Sequence, residues 1–197
     1  MRTRGIVKSA MPSFTNPNNV SIITGVPPST TGICGNYFYD RENDQEIMMN
    51  SAEFLRCGTI LQDLERSGSR VVVVTAKNKL LQLLTHGLDN AVGFSVEKFD
   101  DPKASKALLE ADLGVKSVED LMGRPAPDIY DPDISIYCLE AGFRLIERMK
   151  DQSNEPIVAY LSTTDFVQHK YVRTSSFSDS IFTSLYHTLT THKVRTQ

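Results

Sequence analysis

Apolar residues along this chain follow two rhythms, continuous short runs and three- or four-residue spacings. Val71-Val-Val-Val-Thr75 is a continuous β-branched run after Gly68, followed by Ala-Lys-Asn-Lys-Leu-Leu-Gln-Leu-Leu84, a stretch of helix formers, so a strand leading into a helix is expected. Phe54 through Arg66, with Leu55, Leu61 and Leu64 among polar residues, should be the helix before that strand. Ala104 to Asp112 and Ser117 to Met122 read as short helices, the second with a cap-like Ser-Val-Glu-Asp start. Asp131-Pro-Asp133 introduces a longer helix to about Lys150, with Ile136, Leu139, Phe143 and Ile146 on one stripe. Pro156-Ile-Val-Ala-Tyr-Leu-Ser162 reads as a buried strand. Helices alternating with continuous apolar strands predict an α/β fold whose mostly parallel sheet is covered on both faces. Chemistry in such sheets gathers beyond the carboxyl ends of strands, which singles out the loops after Thr75 and Ser162.

Composition narrows the function. The 197 residues suffice for one good-sized domain, 40% apolar and 23% charged with a net charge of −3. There is no run of 18 apolar residues, so a membrane span is not expected, and Met1 to Ala10 lacks the apolar stretch of a secretory signal. The expectation is a cytoplasmic protein. Cys34, Cys57 and Cys138 are odd in number and widely spaced, unlike a disulfide framework or cysteine zinc knot. Charge is uneven: no acidic residue precedes Asp40, and the last 28 residues hold only Asp179 against four Lys or Arg, with 11 Ser or Thr. These sparse basic residues are not interleaved with aromatics, so neither flank reads as a nucleic-acid surface. Ile181, Leu185 and Leu189 mark a weak amphipathic helix between Phe177 and Leu189.

Four local patterns could carry chemistry, and each has a plainer alternative. In Thr163-Thr164-Asp165-Phe-Val-Gln-His169, Asp165 and His169 would share a helix face and could grip one divalent metal, or simply start a solvated helix. In Phe14-Thr15-Asn16-Pro17-Asn-Asn19, Asn16 is a good N-cap and Pro17 a good first helical residue. Thr15 would then lie at a helix mouth that attracts anions, or merely precede a capped helix. Gly32-Ile-Cys-Gly-Asn36 could bring the Asn36 amide to a phosphoryl oxygen, or form an ordinary turn. Lys77 and Lys79 could hold an anionic substrate, or form a solvated face.

Together these pieces resemble one family. Phe-Thr15-Asn-Pro-Asn, Thr-Gly25, Pro27-Pro28, Gly32-Ile-Cys-Gly-Asn36-Tyr-Phe, Val-Thr75-Ala-Lys77-Asn-Lys79-Leu and Ser162-Thr-Thr-Asp165-Phe-Val-Gln-His169-Lys-Tyr171 closely resemble phosphonoacetate hydrolase. That family belongs to the alkaline phosphatase superfamily, near the nucleotide pyrophosphatases and phosphodiesterases. The resemblance covers roughly residues 9–171, taken as part of an alkaline-phosphatase-like α/β/α domain, and leaves 172–197 as a divergent tail. It implies a two-zinc (Zn2+) hydrolase that splits phosphonoacetate into acetate and phosphate. Thr15 would be the metal-bound nucleophile, Asn36 the phosphoryl-oxygen contact, Asp165 and His169 ligands of one zinc, and Lys77 and Lys79 the holders of the substrate carboxylate.

The departures are specific. The family has an Asp on a strand well before the nucleophile, whereas no carboxylate precedes Thr15 here. It also has an Asp-His dipeptide, absent from this chain, and a further His downstream; after His169 only Asp179, His187 and His192 remain. Thr31 stands where the family commonly has His. The expectation is therefore an internal piece of the family domain, with apolar edges that call for a partner, a second copy among them. A non-catalytic remnant that binds anions, and a phosphodiesterase or nucleotide pyrophosphatase relative, are the alternatives.

Overall fold

The valines of Val71-Val-Val-Val74 are wholly buried, and the other elements are placed by the need to cover them. A computed structural model describes residues 7–97 and 113–171, with the single positions 180, 183, 184, 187 and 188. In chain order the described elements are α1 (Thr15–Thr24), α2 (Pro28–Thr31), β1 (Tyr37–Asp40), β2 (Gln45–Met48), a 3-10 turn (Ala52–Phe54), α3 (Ile60–Arg66), β3 (Arg70–Thr75), α4 (Asn78–Leu84), β4 (Val92–Ser95), α5 (Val118–Met122), α6 (Ile134–Lys150), β5 (Ile157–Ser162) and α7 (Phe166–Lys170).

β3 is the centre of a three-stranded parallel sheet in the order β4-β3-β5. Alternation along a strand sends Val72 and Val74 to one face, where they join Phe94, Tyr137, Cys138, Leu145 and Met149. Val71 and Val73 face the other way, against Ile23, Leu61, Leu80, Leu81 and Leu84. The layering is therefore α5 and α6 on one face, and α1, α3 and α4 on the other. Burying each valine is worth roughly 1.5–3 kcal/mol before chain entropy is counted. A separate antiparallel hairpin, β1 with β2, packs Phe38 edge-on against Phe54 at 5.3 Å.

Most expected elements are present, with shifted boundaries. Of the expected Phe54–Arg66 helix only Ile60–Arg66 is α-helical, because Thr59 and Gln62 form a reciprocal capping box that starts α3 at Ile60; Phe54 ends a 3-10 turn and 55–59 are not helical. Helix α1 begins at Thr15 with Phe14 as N-cap, so Asn16 is not the cap and Pro17 not the first helical residue. In α6 the innermost line is Tyr137, Cys138, Ala141, Leu145 and Met149, all 0% exposed; Leu139, Phe143 and Ile146 border it and Ile136 is half-exposed. Ser117 caps α5 by accepting from the Asp120 N–H, as its pattern suggested. β5, expected as a buried strand, is half-exposed along most of its length and exposed at Ala159. The β1–β2 hairpin and β4 were not expected. The helix expected over Ala104–Asp112 lies outside the described residues, as does the tail helix from Phe177 to Leu189 apart from five positions. No helix among the described residues is long and apolar enough to cross a membrane.

Candidate active site

The register of β3 and β5 decides which loops meet. Thr75 stands opposite Ser162, and the pairing runs on as Ala76 N–H donates to the Ser162 carbonyl at 3.2 Å. On the other side Val96 N–H donates to the Thr75 carbonyl at 2.9 Å and Glu97 N–H to that of Ala76 at 3.1 Å. All three carboxyl ends are thus level, and the loops leaving them lie side by side. The Thr75 hydroxyl donates to the Lys77 carbonyl at 2.9 Å, turning the chain into α4. Glu97, which sequence reasoning missed, accepts from Asn78 N–H at 3.1 Å and so fixes the backbone between the two lysines.

The same register brings Lys77 to Asp165. Lys77 Nζ lies 3.5 Å from Asp165 Oδ1, and Asp165 Oδ2 lies 3.2 Å from His169 Nε2. The Asp165 loop is anchored from below. Ser135 Oγ lies 3.4 Å from the Thr164 hydroxyl, and the Cys138 thiol, pushed up to about 12 by burial, donates to the Ser162 carbonyl at 3.3 Å. Partial burial alone would raise the Asp165 carboxyl. The Lys77 ammonium, a backbone N–H and His169 outweigh it and hold the group below its ordinary value.

Thr15 reaches this strand end through a different route. Asn19, one turn further along α1, donates to the Thr15 carbonyl at 2.9 Å and accepts from the Tyr160 hydroxyl at 2.7 Å. Asn36 is exposed at the foot of the hairpin, its carbonyl accepting from Met49 N–H at 2.7 Å. The approach to it requires Gly32, whose φ is 83° and where a Cβ would stand 2.5 Å from the Phe54 carbonyl oxygen. Lys79 Nζ lies 3.0 Å from Met48 Sδ, on the residue paired with Tyr37. The expected residues therefore gather at one end of the sheet in three groups: Lys77 with Asp165 and His169, Thr15 through Asn19, and Asn36 near Lys79. No hydrogen bond or ion pair among the described residues joins Thr15 or Asn36 to Asp165 or His169. The two lysines also differ, since Lys77 is engaged by the Asp165 carboxylate, whereas the contact of Lys79 among the described residues is with Met48 Sδ.

Asp165 and His169 suit a metal in geometry but not in number. Two ligands of a tetrahedral zinc with bonds near 2.0 Å stand about 3.3 Å apart. The 3.2 Å between Oδ2 and Nε2 matches that edge, and is equally a hydrogen bond. A catalytic zinc keeps three protein ligands, yet no group of three His, Cys, Asp or Glu suited to a metal occurs among the described residues. The described donors do not make a zinc site by themselves.

A three-stranded parallel sheet with helices on both faces, its carboxyl-end loops side by side, defines an α/β fold, and the family match is specific. The chain belongs to the type I phosphodiesterase / nucleotide pyrophosphatase family, whose model matches residues 2–183. It is similar to phosphonoacetate hydrolase from Sinorhizobium meliloti 1021, solved with phosphonoacetate, at 41% identity and a TM-score of 0.77 over 92% of this chain. A second structure of that enzyme, with phosphonoformate, matches at 42% identity and the same TM-score of 0.77. The fold is that relative's alkaline-phosphatase-like α/β fold. The chain spans 42% of the relative's length.

Proposed function

We propose that this chain carries part of the active site of a metal-dependent phosphonate hydrolase that cleaves phosphonoacetate to acetate and phosphate. The observation that carries this reading is the 41% identity over 92% of the chain to an enzyme solved with that substrate. Thr15 Oγ attacks phosphorus, the carbon–phosphorus bond breaks, and the departing carbon takes a proton to give acetate. Water then hydrolyses the phospho-threonine and releases phosphate. Asn36 donates to the phosphoryl oxygens, and Lys79, which meets no carboxylate among the described residues, holds the substrate carboxylate more freely than Lys77, which is paired with Asp165. Zinc is the proposed metal, with Asp165 and His169 supplying two of its ligands and the others coming from beyond the described residues. Cytoplasmic location, phosphonate catabolism and self-association belong to the same proposal.

Two other readings have support. The two-donor set favours a non-catalytic chain that binds small anions without turnover. The family description favours a phosphodiesterase or nucleotide pyrophosphatase, but a nucleoside needs an apolar slot, whereas two lysines suit a short polyanion. The test is phosphate release from phosphonoacetate by the purified chain with added zinc, alongside metal analysis. Turnover abolished by Thr15→Ala, with the Michaelis constant raised about tenfold by Lys79→Ala, supports the hydrolase. Absence of both bound zinc and turnover removes intrinsic catalysis and leaves anion binding. Turnover of a nucleotide diester but not of phosphonoacetate selects the third reading.

A further inference from the structure

Asn19 is separated from Tyr160 by 141 positions, yet the two side chains meet at 2.7 Å, phenol donating to amide oxygen. The other end of the same amide donates to the Thr15 carbonyl at 2.9 Å. Ser162, two residues beyond Tyr160 and so on the same face of β5, brings its hydroxyl to 3.5 Å from the same Asn19 oxygen. Tyr160 packs with the cluster of Ile23, Leu61 and Leu80, so its ring is wedged on the α1 side of the sheet. Burial raises its phenol above the ordinary value, which keeps the group protonated and a donor.

The consequence is geometric. Asp165 follows Ser162 by three residues and rides on the end of β5, while Thr15 opens α1. Among the described residues no hydrogen bond or ion pair joins Thr15 to Asp165 or His169, so their separation is set by how α1 is seated on β5. The Asn19 amide is the polar link in that seating, binding the first turn of α1 on one side and the last turn-in of β5 on the other. We propose that Asn19 and Tyr160 form a positioning pair that fixes Thr15 relative to the Asp165 loop. The pair acts through Thr15 and does not touch substrate. The inference deepens the reading of Thr15 as nucleophile and rests on it.

Tyr160→Phe removes one hydroxyl and keeps the ring, so the core packing is retained. A reacting atom displaced by a fraction of an ångström slows the chemical step without loosening substrate. In the full chain acting on phosphonoacetate, Tyr160→Phe is expected to lower kcat about tenfold with KM within about twofold of the parent, and Asn19→Ala at least as much. The double variant should be no slower than Asn19→Ala alone, since both changes break the same link. Unchanged kcat in Tyr160→Phe, a rise in KM instead, or fully additive losses would overturn the pair. If the parent chain itself does not turn over phosphonoacetate, the proposed function fails separately, and amide hydrogen exchange then decides the link. Tyr160→Phe should speed exchange across α1 about fivefold while α4 keeps its protection. Equal rates in α1 of parent and variant would end the proposal.

Discussion

β3 and β5 are parallel neighbours of six residues each, paired in register from Arg70 with Ile157 to Thr75 with Ser162. Their surroundings nevertheless differ. Val71 to Val74 are 0% exposed, while no residue of β5 is fully buried. β3 has a strand on either side and helices on both faces; β5 has β3 on one side and no strand on the other among the described residues. An apolar run therefore announces a strand without saying how many neighbours it has. The difference also separates two tasks. β3 holds the core together, and β5, less enclosed, carries Asp165 and His169 and receives α1 through Asn19.

The sharpest way to break this contrast is to add one methyl group on each side. Gly93 of β4 faces β3, and a Cβ there would run into the Val73 carbonyl oxygen, a backbone atom held in the ladder. Gly93→Ala must push β3 and β4 apart, and about 3 kcal/mol of stability should be lost, read as a lower denaturant midpoint. A variant as stable as the parent would mean that β3 is not tightly enclosed.

On the β5 side, a Cβ at Gly142 of α6 would lie 2.5 Å from Leu161 Cδ2, the far end of a flexible and half-exposed side chain. Leu161 can swing aside, and alanine gains about 1 kcal/mol over glycine within a helix. Gly142→Ala should therefore fall within about 1 kcal/mol of the parent by the same measurement. A loss equal to that of Gly93→Ala would show that β5 is as firmly covered as β3.

The same contrast explains what could be read in the sequence. β3 and α6 were legible because their signals are local: a β-branched run, and an Asp-Pro start followed by apolar residues at helical spacing. β4 escaped because it has four residues and Gly93 interrupts its apolar character, although that glycine is what lets β3 approach. The hairpin escaped because its turn lacks an Asn-Gly signal, with Asp44 taking the left-handed φ of 54°. Asp165 and His169 were found together because four residues on a helix face are a local relation. The contacts of Asn19 with Tyr160 and of Glu97 with Asn78 N–H could not be read from the sequence because each partner is brought near only by the packing of distant segments. The ion pair of Lys77 with Asp165 was invisible for the same reason, so two lysines that look alike in sequence turn out to differ.

That ion pair gives the smallest expected effect and the finest test of how open the β5 end is. Because the folded state holds Asp165 below its ordinary value, the carboxylate stabilises the fold when ionised. The contribution is present above the unfolded carboxylate value and is lost as pH falls through the lower folded value. Both side chains are nearly half-exposed, at 47% for Lys77 and 44% for Asp165, so solvent screening limits the contribution to about half a kcal/mol. Asp165→Asn should be less stable than the parent by about that amount at neutral pH, and the gap should close as pH falls below the ordinary carboxylate range and the parent's lowered carboxylate takes up its proton. Added salt should narrow the gap at neutral pH, as for any pair in contact with solvent. A gap of several kcal/mol, insensitive to salt, would instead mean an enclosed ion pair, and the carboxyl end of β5 would then be as well covered as the core of β3.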